Sequence, residues 1–335
     1  MPHNIILITG AGGFLGGLLA AALHADPKTS DASLILVDVV EPKAPQGANA
    51  ITIKADLCDK AQVNDIFKTE FGIPDTVYCL HGIMSRGSED NFDFGIKVNV
   101  DSVRSLLECT REYGKDSPIK FIFASSLAVY GGPLPSIVTP TTTTTPESAY
   151  GTGKLLSELI INEYSRRGFI DGRILRLPTI VVRAGAPAAA TSAFISGIIR
   201  EPLKGIESIC PVGNSIDSPE LDLAMWVASP QTTIKNFLLA RDVPAEKLFP
   251  HTRVICLPGF TTTVREELEA LESVAGKEAL EKVKFRDDPV NRRIVSSWPA
   301  RFDIAYALSL GFLVDEGGME PIVRKFQEDV VAGIA

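Results

Sequence analysis

The stretch NIILITGAGGFLGGLLAAALHA (residues 4–25) joins a short apolar, β-favouring run to an alanine-rich helical run. Between the two runs, Gly10, Gly13 and Gly16 permit a tight turn, close approach of the backbone to a phosphate, and close packing of the helix on the strand. A helix that starts at this turn, near Phe14 and Leu15, offers unpaired N–H groups to an anion. This order of strand, turn and helix predicts a βα unit that binds the pyrophosphate of a dinucleotide.

A second apolar run, Leu34–Val37, ends at Asp38. Asp38 follows the glycines at about the distance in sequence that is expected for a carboxylate that binds both ribose hydroxyls of a dinucleotide. Such a carboxylate repels a 2′-phosphate, and no arginine follows it closely, so NAD is favoured over NADP. The alternative is a glycine-rich turn that binds no ligand.

Two further stretches contain the polar groups of a proton-transfer site: FIFASSLAVYGG (residues 121–132) and SAYGTGKLLSELII (residues 148–161). Tyr150 and Lys154 are four residues apart and share one face of a helix, so the lysine charge favours the phenolate form of the tyrosine. Ser125 and Ser126 end a predicted strand, where a hydroxyl can bind a substrate oxygen while Tyr150 exchanges the proton. The tyrosine and lysine alone are weak support, because such spacings arise by chance.

Strand-like and helix-like segments alternate along the chain, which predicts an α/β fold with a doubly wound parallel sheet. We expect the cofactor domain at residues 1–180, with later returns near 205–257, and a smaller, mostly C-terminal substrate-binding part at 181–204 and 258–335. His81 follows a strand at the ligand-binding edge; we expect a loop residue there, with a catalytic role as the alternative. The predicted segments are strands at 50–55, 75–80, 119–124, 172–177 and 253–257, and helices at about 60–71, 92–113, 264–274, 301–310 and 318–332.

Composition excludes several classes of function. The net charge of −8 argues against nucleic-acid binding, which needs a basic surface. The five cysteines are scattered, so we expect free thiols and a reducing, cytoplasmic compartment. We find no apolar run of membrane-spanning length, and the four histidines are too dispersed for a metal motif.

The motifs together resemble an extended short-chain dehydrogenase/reductase, the family of NAD-dependent epimerases and dehydratases with a Rossmann-type sheet. The resemblance implies that Tyr150 is the general base, Ser126 orients the substrate oxygen and Lys154 binds the nicotinamide ribose, while Asn99 helps to hold an active-site lysine or water. It also implies a homodimer formed by helices at about 92–113 and 148–167. The residues expected at the cofactor are Gly10, Gly13, Phe14, Leu15, Gly16, Asp38, Asp56, Leu57, Leu80, Gly82, Asn99, Ser125, Tyr150, Lys154, Pro178 and Thr179.

Later phrases, including RRIVSSWPARFD (residues 292–303), resemble the members of this family that oxidise four-carbon sugar acids. The resemblance implies oxidation of such an acid at C2. A carboxylate substrate needs a cation, and a guanidinium suits it best. Our candidates are Arg183 and Arg200, with Thr191 and Ser192 offering hydroxyls; for each arginine the alternative is an ordinary salt bridge.

Some positions depart from the family pattern, including Gly153, the residues around His81, and Asn214–Leu223. These departures leave a different substrate open, and two other classes of protein also stay open as alternatives. The substrate is a larger ketone or secondary metabolite, or the protein is a nucleotide-sugar epimerase or dehydratase, or it is an NAD-binding regulator without catalysis. The intact set of Ser126, Tyr150 and Lys154 argues against the regulator.

Overall fold

The structure is a computed structural model that describes residues 4–185 and 192–334. Its strands are β1 (Ile5–Thr9), β2 (Ser33–Asp38), β3 (Ala50–Lys54), β4 (Thr76–Cys79), β5 (Lys120–Ser126), β6 (Asp171–Leu177), β7 (Thr179–Ile180), β8 (Ser208–Cys210), β9 (Ala224–Ala228), β10 (Val254–Cys256), β11 (Phe260–Thr263) and β12 (Val283–Phe285). Its helices are α1 (Phe14–Ala25), α2 (Lys60–Asp65), α3 (Ser85–Asp90), α4 (Phe92–Ile96), α5 (Ser102–Tyr113), α6 (Ala149–Arg166), α7 (Ala193–Leu203), α8 (Pro230–Asp242), α9 (Val264–Ala275), α10 (Lys277–Leu280), α11 (Pro289–Ser296), α12 (Ala305–Ser309) and α13 (Met319–Val331). A π-helical turn, Lys97–Asp101, joins α4 to α5.

Seven parallel strands form the main sheet in the order β10-β6-β5-β4-β1-β2-β3. Every residue of β1 is buried, as expected for a parallel strand that is covered on both faces. One apolar cluster fills the face beneath α1 and α8, and another fills the face beneath α2, α5 and α6. The predicted α/β class with a doubly wound parallel sheet is confirmed.

The order of the strands switches sides at β1, which lies between β2 and β4. The chain first adds β2 and β3 on one side of β1, and then returns to add β4, β5 and β6 on the other. In open α/β sheets, ligands bind in the crevice beyond the carboxyl ends of the strands at such a point. The carboxyl ends of β4, β5 and β6 lie along the same edge. This edge therefore brings together the glycine turn and the residues that follow these three strands.

A second apolar core contains residues of α7, α9 and α13. Two small sheets accompany it, in the orders β11-β9-β7 and β12-β8. Strands β8 and β9 belong to these small sheets, whereas the chain returns to the main sheet later, where α8 packs on it and β10 joins it. This differs from the expected returns, which began near residue 205.

The predicted helix at 301–310 is shorter than expected and spans only Ala305–Ser309. Phe302 instead forms a parallel bridge with Val138 and packs against the rings of Tyr130 and Trp226. Burial of this aromatic ring therefore overrides the local helical pattern. No helix within the described ranges is long and apolar enough to cross a membrane.

Glu267 is the unusual group of the second core. It is completely buried in α9, and neither of its carboxylate oxygens has a hydrogen-bond partner among the described residues. Burial raises the pKa of this carboxyl well above its ordinary value, and the neighbouring Glu266 adds to the effect. Because the pKa is raised in the folded state, the protein loses stability as the pH rises through this pKa.

We expect Glu267→Met to raise the melting temperature, and to raise it more at alkaline than at acidic pH. Removal of an unsatisfied buried polar group stabilises by about 1–3 kcal/mol, and the charged form costs more. Thermal melts across a pH series measure the effect, with Glu269→Met on the exposed side of the same helix as the control. A loss of stability that is equal at every pH would contradict this account of Glu267.

Candidate active site

The turn between β1 and α1 can only be built from glycine at two positions. Gly10 has a φ of +74°, and a Cβ there would lie 2.7 Å from the backbone nitrogen of His81. A Cβ on Gly16 would lie 2.2 Å from the carbonyl oxygen of Gly10. The turn is therefore packed backbone to backbone, and it leaves the N-terminus of α1 facing the crevice.

A carboxylate lies beside this turn. The backbone N–H of Gly12 donates to Asp38 Oδ2 at 3.0 Å, and Asp38 ends β2 as the sequence predicted. Asp56 and Leu57 follow β3, next to β2 on the same edge, but neither they nor Asp38 line the cavity that the crevice encloses.

That cavity has a volume of about 400 Å³ and lies beyond the carboxyl ends of β1, β4, β5 and β6. The predicted site residues that line it are Gly10, Gly13, Phe14, Leu15, Gly16, Leu80, Gly82, Ser125, Ser126, Tyr150, Lys154, Pro178, Thr179, Arg183, Ser192 and Arg200. Thr191 lies outside the described residues. The structure thus gathers residues from both the cofactor part and the substrate part around one space.

Helix α6 presents Tyr150 and Lys154 to the cavity. Ser148 caps the helix, since its hydroxyl accepts the backbone N–H of Gly151 at 3.0 Å, so Tyr150 lies in the first turn. Lys154 is 4% exposed, donates to the carbonyl oxygen of Ala124 at 2.9 Å, and holds its Nζ 5.7 Å from the centre of the Tyr150 ring. The lysine is therefore fixed within electrostatic reach of the phenol.

Ser126 ends β5 at the wall of the same cavity. Its hydroxyl oxygen accepts the backbone N–H of Ala128 at 3.1 Å, which begins a short 3₁₀ turn. Since the oxygen is used as an acceptor by the protein, the hydroxyl hydrogen can be donated to a substrate oxygen.

The hydroxyl of the preceding serine is committed elsewhere. Ser125 is 1% exposed and donates to Glu158 Oε1 at 2.5 Å. Its predicted role at the cofactor therefore rests on its backbone and its place in the cavity wall.

Asn99 lies in the π-helical turn and is buried. Its Oδ1 accepts the backbone N–H of Ile83 at 3.0 Å, and its Nδ2 donates to the Ile83 carbonyl at 3.1 Å and to Ser88 Oγ at 3.2 Å. We predicted that it helps to hold a lysine or water. Its described side-chain hydrogen bonds hold the loop after β4, which forms one wall of the cavity, and its role toward a lysine or water stays a prediction.

His81 is part of a buried hydrogen-bonded chain. Ser102 donates to the carbonyl oxygen of Val98 at 2.5 Å, so its oxygen is left to accept from His81 Nε2 at 2.8 Å, and His81 Nδ1 then accepts from Thr9 at 2.8 Å. Burial lowers the pKa of His81 to about 3, and the charge of Lys154 adds to this. The neutral ring, held at both nitrogens, therefore connects the end of β1 to the first residue of α5.

The two candidate arginines differ in their partners. Arg200 donates to the Glu201 carboxylate at 3.0 Å and 2.5 Å, and to the carbonyl oxygen of Arg183 at 3.0 Å. Arg183 is partly buried and donates through Nε to the Ile180 carbonyl at 3.2 Å. No carboxylate of the described ranges forms an ion pair with it. Burial is the main cause that lowers the pKa of Arg183.

Sequence reasoning missed several residues of the cavity wall, including Met84, Ser85, Ser196 and Trp298. Trp298 lies in the segment RRIVSSWPARFD (residues 292–303), but nothing in the local sequence pattern indicates that its side chain faces the site. A second cavity of about 520 Å³ adjoins the first and shares Ser85, Ala128 and Trp298 with it.

The sequence pattern of the NAD dependent epimerase/dehydratase family matches residues 6–216, so the chain belongs to that family, and the predicted membership is confirmed. Two curated relatives, each named D-erythronate dehydrogenase, are 40% identical to it. The one from Haemophilus influenzae aligns over 96% of this chain and 98% of its own length, and the one from Cupriavidus necator over 98% and 99%. A crystal structure named as the nucleoside-diphosphate-sugar epimerase from Agrobacterium tumefaciens is similar with a TM-score of 0.89 and 33% identity, and covers 99% of this chain and 95% of its own.

Membership in this family implies a nicotinamide dinucleotide as cofactor, and the chain is a nicotinamide-dependent enzyme. The described residues fit this group. Close backbone packing at Gly10 and Gly16 holds the N-terminus of α1 against the end of β1. That N-terminus favours phosphate, and the carboxylate of Asp38 suits ribose hydroxyls.

We expect Gly16→Ala to weaken binding of the dinucleotide by about ten- to a hundredfold, because a methyl group forced against the Gly10 carbonyl costs roughly 1–3 kcal/mol or distorts the turn. The matched control is Gly17→Ala, where a Cβ would lie 3.9 Å from its nearest neighbour, the Ala11 carbonyl oxygen. Calorimetric titration with the dinucleotide measures both. Equal affinity of the two variants would contradict the role of this close contact.

Proposed function

We propose that this protein oxidises D-erythronate at C2 to 2-oxo-tetronate, with NAD as the acceptor. The observation that carries the proposal is the partly buried guanidinium of Arg183, which has no carboxylate partner in the described chain and lines one cavity with Ser126, Tyr150 and Lys154. A carboxylate would supply that partner, and bidentate pairing would fix the orientation of the acid. The two relatives named D-erythronate dehydrogenase give the same substrate class.

The residues have separate tasks in this reaction. Tyr150, as the phenolate, takes the proton from the C2 hydroxyl, and Ser126 donates a hydrogen bond that holds and polarises the same oxygen. Lys154 favours the phenolate through its charge. A nicotinamide held in this cavity would supply the hydride acceptor, so that removal of one proton by Tyr150 and of one hydride from C2 would give the ketone.

We infer NAD as the dinucleotide because Asp38 ends β2 beside the glycine turn, and its carboxylate would repel a 2′-phosphate. The two residues that follow it are Val39 and Val40, which are exposed and offer no positive charge. Turnover with NAD and with NADP at equal concentration tests this preference.

We expect Tyr150→Phe to lower NADH formation from D-erythronate by about 10²–10⁴-fold, because the proton acceptor is lost. Tyr164→Phe is the control, since Tyr164 lies on the same helix but bonds Glu108 at the surface. Absorbance of NADH follows the reaction. An epimerase would retain its cofactor and release no NADH, and full activity of Tyr150→Phe would contradict the mechanism.

We expect Arg183→Leu to lower kcat/KM for sugar acids by about ten- to a hundredfold, since a hydrogen-bonded charge contributes roughly 1.5–3 kcal/mol. The rate with a neutral polyol should change little. Arg200→Leu is the comparison. It should lower the free energy of unfolding, because it leaves Glu201 without its partner, and it should lower acid turnover less than Arg183→Leu does. If both variants oxidise acids as the unmodified protein does, the carboxylate is bound elsewhere.

A second candidate function is oxidation of a larger hydroxy compound or reduction of a larger ketone. The observation in its favour is the cavity of about 520 Å³ that adjoins the site at Trp298. A panel of sugar acids with three to six carbons, followed by larger ketones, distinguishes the two. Highest kcat/KM for D-erythronate supports the first candidate.

Other features of the chain support three further proposals. We infer a homodimer through α5 and α6, since Leu156 and Leu159 on α6 are 40% and 58% exposed. The molecular mass from light scattering tests this inference.

We infer that 181–204 and 258–335 form the substrate-binding part, in line with the positions of Arg183 and Trp298. The five unpaired cysteines support a reducing, cytoplasmic compartment, which localisation of a tagged chain would test.

A further inference from the structure

The carboxyl end of β5 is attached to helix α6 at two successive helical turns. Lys154 donates to the carbonyl oxygen of Ala124 at 2.9 Å, and one turn later Glu158 accepts the hydroxyl of Ser125 at 2.5 Å. Two adjacent strand residues, Ala124 and Ser125, thus form hydrogen bonds with two helix residues that are four positions apart on one face. Two such contacts fix both the axial position and the rotation of the helix on the strand.

Arg176, in β6, holds the Glu158 carboxylate from the other side. Its Nε donates to Oε1 at 2.9 Å and its Nη2 to Oε2 at 2.6 Å, while Nη1 donates to the Tyr130 hydroxyl at 2.6 Å. Glu158 is 1% exposed and Arg176 is 8% exposed. Sheet register places Ser125 directly opposite Arg176. A bidentate pair with further partners holds its geometry more rigidly than a single hydrogen bond.

We propose that Ser125, Glu158 and Arg176 are positioning residues that set the separation of Ser126 and Tyr150. Ser126 follows Ser125 directly on the strand, and Tyr150 lies two turns before Glu158 on the same helix face. A shift of α6 along β5 would therefore move the proton acceptor relative to the hydroxyl that holds the substrate oxygen. This inference rests on the proposed roles of Ser126 and Tyr150.

The charges around these groups make a clean test possible. Arg183 faces Tyr150 from the segment after β7. His81 and Cys79 face Lys154 from the end of β4, and burial keeps the imidazole of His81 and the thiol of Cys79 neutral near pH 7. The opposite charges of Glu158 and Arg176 compensate each other. Removal of the Ser125 hydroxyl changes none of these charges, so a lower kcat reports a change of geometry and not of charge.

We expect Ser125→Ala to lower kcat by about ten- to a hundredfold, the loss that a displacement of about 1 Å causes. The KM for the acid should stay nearly the same, because Ser126 and Arg183, which hold the acid, are unchanged and only the proton acceptor is displaced. The dissociation constant of NAD should stay the same. The control is Ser165→Ala, a buried serine of α6 that bonds only the Ile161 carbonyl within the helix, and it should change none of the three.

Weaker NAD binding by Ser125→Ala with an unchanged kcat would make Ser125 a cofactor ligand and overturn the proposal. A second measurement needs no substrate: crystal structures of the unmodified protein and of Ser125→Ala should show the Tyr150 hydroxyl displaced by about 1 Å relative to Ser126 Oγ in the variant. Absence of that displacement overturns the proposal even if D-erythronate is not the substrate. Its presence in a protein that oxidises no sugar acid would leave the positioning intact and refute only the proposed reaction.

Discussion

The contact on which the site depends is the one between Gly10 and the backbone at His81. A Cβ at position 10 would stand 2.7 Å from the His81 nitrogen, so the ends of β1 and β4 can meet only because this residue is glycine. After β1 the chain continues to β2 on one side, and after β4 it continues to β5 on the other side, so a crevice opens between the ends of β1 and β4. The groups that act on a ligand are arranged along that one edge because the strands are parallel.

The same edge is rich in buried polar groups, and most of them are satisfied. The His81 chain, the Asn99 amide and the Glu158 carboxylate each connect a strand end or its following loop to a helix. In a medium of low dielectric such contacts are geometrically demanding, and a fully bonded network restricts motion. The rigid elements therefore meet around the cavity through hydrogen bonds with defined directions, whereas apolar contacts hold them together elsewhere.

The sequence predicted the parts of this arrangement that follow from local spacing. Gly10, Gly16, Tyr150 and Lys154 act through their place in one turn or on one helix face, so a short stretch of sequence was sufficient to find them. The partners of Arg183 and Arg200 could not be predicted, because a salt bridge to Glu201 depends on side-chain packing that no periodicity reports. Trp298 was missed for the same reason, since it reaches the cavity from the far end of the chain.

The guanidinium of Arg183, which pairs with no carboxylate of the described residues, also affects how the protein behaves in different salt solutions. A partly desolvated cation in a cavity attracts small anions of every kind, and their competition grows with ionic strength. In the proposed reaction, an acid that binds Arg183 would displace chloride or a buffer carboxylate, and only in dilute solution would it displace water alone. The affinity of the cavity for its ligand is therefore a joint property of the protein and of the salts around it.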